Sequence, residues 1–266
     1  MLPDLCPLVK TVLIGRVESV EAGLLDLGLS PDEFEIIEER DEGSAIVRGM
    51  RLIKEGKARI LMEGGLDHGL FMHEVLGKSH RRGASSLLSH LSMVEFPLTG
   101  KCAIITDTLL NHSPTLKEKI AIVNNALFMA RAMGRKRPKV AALSALEYVN
   151  PSIPSSLDAA VLSKMSQRGQ FGNARVEGPL DIDCAVSKDA CTRKKVTSEV
   201  TGDVDIFLVP DVESGSCFAQ FLSVYGNMRI TGVVLGLPAP VILKSPAPFT
   251  ASAIAGVAFA SLMTKG

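Results

Sequence analysis

The chain has 266 residues, 46% of them apolar, and its 29 basic and 29 acidic side chains cancel to a formal net charge of zero. That length supports one large domain or two small ones with their own cores, and the composition excludes a disordered chain. Charge balance, the absence of Trp and only two Tyr speak against a nucleic-acid partner, and no apolar stretch is long and unbroken enough to span a bilayer.

Short β-rich runs alternate with helical periods from the start. Thr11 to Ile14 predicts a strand, Val17 to Leu27 a helix stopped by Gly28, and Phe34 to Ile37 a second strand. Ala45 to Lys54 is helical and ends at Gly56; Ala58 to Met62 is a third strand, broken by Glu63-Gly64-Gly65. This β-α-β-α-β order predicts a parallel sheet with helices on its faces. A helix over Leu70 to Leu76 follows, then strands over Ser89 to Val94 and Cys102 to Thr106, with Asp107 at the end of the latter. Leu116 to Met133 is a long helix stopped by Gly134, Val140 to Leu143 a strand, and Ser156 to Arg168 a helix closed by Gly169. Strands at Ala174 to Val176 and Ile206 to Val209, and a helix over Ser216 to Gly226, come next. Strands at Gly232 to Leu235 and Val241 to Leu243 lead to a closing helix over Ala251 to Met263.

The start of the chain has no basic segment followed by a long apolar run, so no signal peptide is expected. Five scattered cysteines without C-x-x-C spacing indicate neither a zinc site nor a redox pair, and point to a reduced, cytoplasmic compartment. The P-loop, G-x-G-x-x-G, H-E-x-x-H and G-x-S-x-G patterns are all absent, which argues against a nucleotide hydrolase or a Rossmann dehydrogenase. Asn150-Pro151 and Pro154 fix a loop, Gly178-Pro179, Pro210 and Gly215 read as strand-end turns, and Asp181 and Asp183 read as helix caps.

An ordered series runs from Asn150-Pro151 through Leu162-Ser163-Lys164-Met165 and Arg168-Gly169-Gln170 to Glu177-Gly178-Pro179-Leu180. It continues with Leu208-Val209-Pro210-Asp211, Glu213, Gly215, and Gly232 to Gly236, ending at Pro240 and Ser245. That series resembles the phosphate acyltransferases, and the phosphate butyryltransferase branch more than the phosphate acetyltransferase branch. The resemblance implies transfer of a short acyl group between coenzyme A and inorganic phosphate, with CoA as substrate or product, no permanently bound cofactor and no metal. It also implies two α/β/α domains around a central cleft, like the isocitrate and isopropylmalate dehydrogenases, and a homodimer. The first domain would hold residues 1–112 with 233–266, and the second 113–232.

Acyl transfer to phosphate needs an anion site, donors for a developing oxyanion and an acceptor for the thiol proton. The resemblance makes Arg81 or Arg82 a phosphate contact; read alone, His80 to His90 is a solvated basic loop. It places a Lys-Gly turn at the cleft where this chain has Glu63-Gly64-Gly65, so the local charge is reversed; the glycines either cradle an anion or serve only to permit positive φ. It implies a Ser-Arg pair followed by an Asp after the last buried strand. Here Ser245 is kept, as donor to the acyl oxygen, but Pro246 replaces the Arg, and no Asp or Glu occurs from Ser245 to Gly266. Three readings remain open. The roles have moved, with Lys244 or Arg229 supplying positive charge and His68, His90 or Glu213 acting as base, and Asp107 reaching the cleft. Alternatively the chain is a diverged paralogue that binds CoA or an anion without turnover, or another transferase on the same fold. For each lone His the competing reading is a surface or packed core residue, and His68 ranks ahead of His90 because it lies in a loop at a strand end.

Overall fold

The computed structural model describes residues 9–77, 87–96, 100–243 and 250–264, and the chain forms two compact units, 1–85 with 236–266 and 86–235. The expected 112/113 boundary would assign residues 86–112 to the first unit, whereas they cluster with the middle of the chain.

In the first unit β1 (Val12–Gly15) pairs in parallel with β2 (Glu35–Glu38), and the crossover connection between them carries α1 (Val17–Asp26). Then come α2 (Glu42–Lys54), β3 (Leu61–Met62) and α3 (His68–Leu76). Asp41 and Asp67 cap α2 and α3, their carboxylates accepting from the N–H of Ser44 and Leu70 at 2.8 and 2.7 Å. The predicted third strand is cut to two residues and joins neither β1 nor β2. It pairs in parallel with β10 (Val241–Ile242), which arrives from the far end of the chain, so the opening β-α-β-α-β does not make one sheet. Ile46, Met50 and Leu52 of α2 and Phe71 and Val75 of α3 are buried, each burial stabilising by about 1.5–3 kcal/mol. The closing helix is α9 (Thr250–Ser261).

In the second unit the strands run in the order β9-β4-β5-β8-β6-β7. They are β4 (Ser89–Phe96), β5 (Lys101–Thr106), β6 (Lys139–Leu143), β7 (Arg175–Leu180), β8 (Ile206–Leu208) and β9 (Ile230–Leu235). The sheet is mixed, so the parallel arrangement expected from the opening β-α-β-α-β run does not hold throughout: β4 is antiparallel to both β5 and β9, while β5, β8, β6 and β7 are parallel. Only residues 97–100 join β4 to β5, too short for a parallel crossover. The helices are α4 (Leu116–Ala132), α5 (Pro154–Gln167), the short α6 (Ile182–Val186) and α7 (Lys188–Arg193), and α8 (Val212–Val224). A capping box between Thr115 and Glu118 starts α4. Gly178 and Pro179 lie inside β7 rather than in a turn, at a register shift against β6, because a Cβ at Gly178 would stand 2.5 Å from the carbonyl oxygen of Ala142.

The two edges of this sheet differ in chemistry. The amino edge of the parallel strands carries an ion-pair network, with Lys101 and Lys139 on Asp203 (2.6 and 2.9 Å) and Arg135 on Asp205 (3.4 Å). The two ammonium groups hold the Asp203 carboxyl down at about 2. The carboxyl edge gathers the turns after β5, β6, β7 and β8, where ligands bind in open α/β sheets.

Candidate active site

Asp107 follows β5 directly and is buried. Its Oδ1 accepts from the backbone N–H of Leu109 and Leu110 at 2.8 and 2.9 Å. Its Oδ2 accepts from Asn111 Nδ2 and, at 3.2 Å, from the N–H of His90. The carboxylate thus closes an Asx-type turn after the strand and ties it to the start of β4. The peptide between Thr106 and Asp107 is cis. All four contacts are to protein donors, so Asp107 organises the turn instead of offering an open ligand.

Thr108 then presents its hydroxyl to His90 Nδ1 at 2.7 Å and to Ser92 Oγ at 2.9 Å. Burial pushes the His90 imidazolium down from 6.5 to about 4, outweighing the Asp107 carboxylate, which pulls it up. The ring is therefore neutral at pH 7. Gly232 on β9 makes room for it, since a Cβ there would stand 2.3 Å from His90 Nε2. Asn111 Nδ2 also donates to the Leu88 carbonyl at 2.8 Å, and Asn125 Nδ2 on α4 to Ser89 Oγ at 2.9 Å. Thr108, Ser92 and Asn125 were not singled out from sequence. The Thr-Asp-Thr run at a strand end, with Asn four residues after the Asp, was the available signal.

α8 packs on the same turn. Its fourth residue, Gly215, lies so close that a Cβ would stand 2.6 Å from the Asp107 carbonyl oxygen. Asp211 caps this helix through the N–H of Ser214 at 2.8 Å, and Glu213 is exposed in its first turn, where negative charge suits the helix dipole. Between β8 and β6 the chain leaves in opposite directions, to β9 and to β7. Beside that switch point the buried Lys119 ammonium is neutralised by Asp158 at 2.8 Å. Beyond β7, Lys194 binds Asp183 at 2.7 Å and holds that carboxyl below its usual range; Asp181 caps α6.

A second constellation belongs to the first unit. Glu63 ends the β3 pairing, its N–H donating to the Ile242 carbonyl at 2.9 Å, and it is 2% exposed. Its Oε1 lies 2.8 Å from Nδ1 of His68, the first residue of α3, whose side chain is 54% exposed. Gly64 and Gly65 between them are exposed, and neither has positive φ, which overturns that part of the sequence reading. A Cβ at either would meet no atom within 4 Å, so the turn is open at both glycines.

Arg229 sits at the amino end of β9, paired at 3.5 Å with Glu95, five residues along the ladder from where His90 faces Val234. At about 3.3 Å per residue that is roughly 16 Å from the Asp107 turn, so the structure does not bring Arg229 to it. Arg81, Arg82, Lys244 and Ser245 lie outside the described residues.

The family model described as phosphate acetyl/butaryl transferase matches residues 28–260. The chain belongs to this family. Among its relatives, the phosphate butyryltransferase of Clostridium acetobutylicum is 37% identical over 252 residues, covering 95% of this chain and 84% of that one. The phosphate acetyltransferase of Rhizobium meliloti is 34% identical over 276 residues, covering 96% and 86%. A solved branched-chain phosphotransacylase from Enterococcus faecalis V583 superposes with a TM-score of 0.81 at 28% identity, covering 97% of this chain and 99% of the other. As a phosphate acetyl/butaryl transferase family member, the chain carries an acyltransferase fold whose described residues include no helix able to cross a membrane.

Proposed function

We propose that this protein transfers a short acyl group reversibly between coenzyme A and inorganic phosphate, working as a cytoplasmic homodimer with the two-domain, dehydrogenase-like cleft that the resemblance implies. The observation that carries the reading is 37% identity to a phosphate butyryltransferase across nearly the whole chain. In this reading Ser245 donates to the acyl carbonyl oxygen, and Arg81, Arg82 and Lys244 supply positive charge for phosphate. Gly64 and Gly65 leave space for substrate at the carboxyl edge of β3. His68 and Glu213 are the candidates for proton acceptor. Asp107 acts at one remove, by holding Thr108 and His90. Mixing acyl-CoA with phosphate and following free thiol tests the proposal; no release above background for acetyl through valeryl thioesters overturns it.

One observation favours a second reading, a protein that binds CoA or phosphate without turnover. Pro246 offers neither charge nor N–H where the resemblance expects Arg, and no acid occurs from Ser245 to Gly266. Calorimetric binding of CoA by a protein with no thiol release selects this reading.

A further inference from the structure

The sequence leaves the proposed reaction without the acid that the resemblance expects after Ser245. The first unit holds a pair suited to that vacancy. Glu63 is buried and fixed to β10 through its backbone, and its carboxylate faces His68 Nδ1 at 2.8 Å. A carboxylate accepts only, so Nδ1 must carry the hydrogen, and in the neutral ring the lone pair falls on Nε2. The buried partner therefore fixes both the tautomer and the ring plane, while the exposed imidazole edge stays available for a proton. Among the described residues, the neighbouring charged groups on these elements are Asp67, which caps α3, and Glu42 of α2, whose Oε2 accepts from the Asp67 N–H at 3.0 Å. Both accept from backbone N–H groups.

We infer that His68, oriented by Glu63, accepts the CoA thiol proton in the acyl transfer proposed above; the inference rests on that reading. In the direction of thioester synthesis the S–H proton passes to Nε2 and the thiolate attacks the acyl-phosphate carbonyl carbon. The C–S bond forms, the C–O bond to phosphate breaks, and phosphate leaves with the electron pair. The imidazolium then gives its proton to the departing phosphate. In reverse the same imidazolium protonates the leaving thiolate. Glu63 is a positioning residue and stabilises the imidazolium.

The test is CoA thiolysis of butyryl phosphate by the full chain. His68→Gln should lower kcat by about 10²–10⁴-fold with KM for butyryl phosphate unchanged. Glu63→Gln, which forfeits the tautomer lock, should lower it by at least about tenfold. Added imidazole should restore part of the rate to His68→Gly, and His73→Gln, exposed on the same helix, should match the wild type. A His68→Gln enzyme within about threefold of wild type, or a loss that imidazole does not rescue, overturns the inference. Absence of thiolysis in the wild type instead removes the reaction reading. In that event ¹⁵N NMR of His68 still decides the pair. A change at Nε2 with CoA that desulfo-CoA does not cause supports the assignment, and identical responses refute it.

Discussion

Replacing Gly215 by Ala sets two physical effects of opposite sign against each other. Gly215 is the fourth residue of α8, and in an exposed helix Ala is favoured over Gly by about 0.8–1.0 kcal/mol. The packing says the reverse. The new Cβ would stand 2.6 Å from the Asp107 carbonyl oxygen, 2.7 Å from Val209 Cγ2 and 3.3 Å from Thr108 Cα. Reaching an ordinary 3.4 Å requires about 0.8 Å of movement between α8 and the turn, taking 2.6 from 3.4. The turn is poorly placed to give way, because the Asp107 side chain ties it to four donors. Overpacking of this kind costs about 1–3 kcal/mol, and against so fixed a turn the upper part of that range, about 2–3, applies; less the propensity gain, the net expectation is a loss of roughly 1–2 kcal/mol. In urea unfolding Gly215→Ala should lower the midpoint without changing m, and in a thermal scan it should lower Tm by about 2–8 °C. Trimming one obstacle with Val209→Ala should not recover the loss in the double variant, since the backbone contacts remain. A Gly215→Ala protein as stable as wild type would show that helix propensity prevails and that the α8–Asp107 contact is slack.

Other consequences follow from the same turn and from the sheet edges. His90 titrates at about 4 folded against 6.5 unfolded; as pH falls from 6.5 to 4 the unfolded chain takes the proton first, so stability complete above 6.5 is lost across that window. The loss is on the order of 3 kcal/mol, and urea midpoints at about pH 7 and pH 4.5 should converge in His90→Gln relative to wild type. Thr108→Val strands His90 Nδ1 and Ser92 Oγ without their shared hydroxyl, and should cost about 1–3 kcal/mol in the same assay. Asp203→Asn should cost under about 1 kcal/mol despite two Lys contacts, because its side chain is 58% exposed. Its effect, present above 3.8, fades as pH falls to about 2. Thr115→Ala removes the capping box of α4 and should cost about 1 kcal/mol by thermal denaturation.

Most elements were legible because their ends are marked. Gly28, Gly56, Gly134 and Gly169 each follow a helix with positive φ, where the sequence placed the stops. The short helices α6 and α7 went unread: five and six residues carry too little apolar period, and only Asp181 and Ser187 announce them as caps. Sheet order was the harder matter. The parallel expectation rests on the alternation over residues 11–62, whereas the link between the strands expected at Ser89–Val94 and Cys102–Thr106 is only seven residues, too short for a crossover and the signal for the antiparallel pair. The pairing of β3 with β10 joins Leu61 to Val241, a contact across 180 residues that no local pattern carries.

The site shows the same division between residue type and partnership. His68 and His90 look alike as lone histidines in the sequence. The fold separates them: His90 is enclosed with a neutral ring, whereas His68 backs onto a buried carboxylate and faces out. Glu63 read alone is a charge reversal at a turn where the resemblance expects Lys, and the missing acid after Ser245 reads as a second defect. On the inferred role these two departures are one relocation. A carboxylate lost from the segment after β10 reappears at the end of β3, the strand parallel to it, where it acts through an imidazole instead of taking the proton itself. The two departures should then be coupled. Restoring an acid after Ser245 should recover activity in a His68→Gln background more than it raises the wild type, whereas independent defects would give equal gains in both.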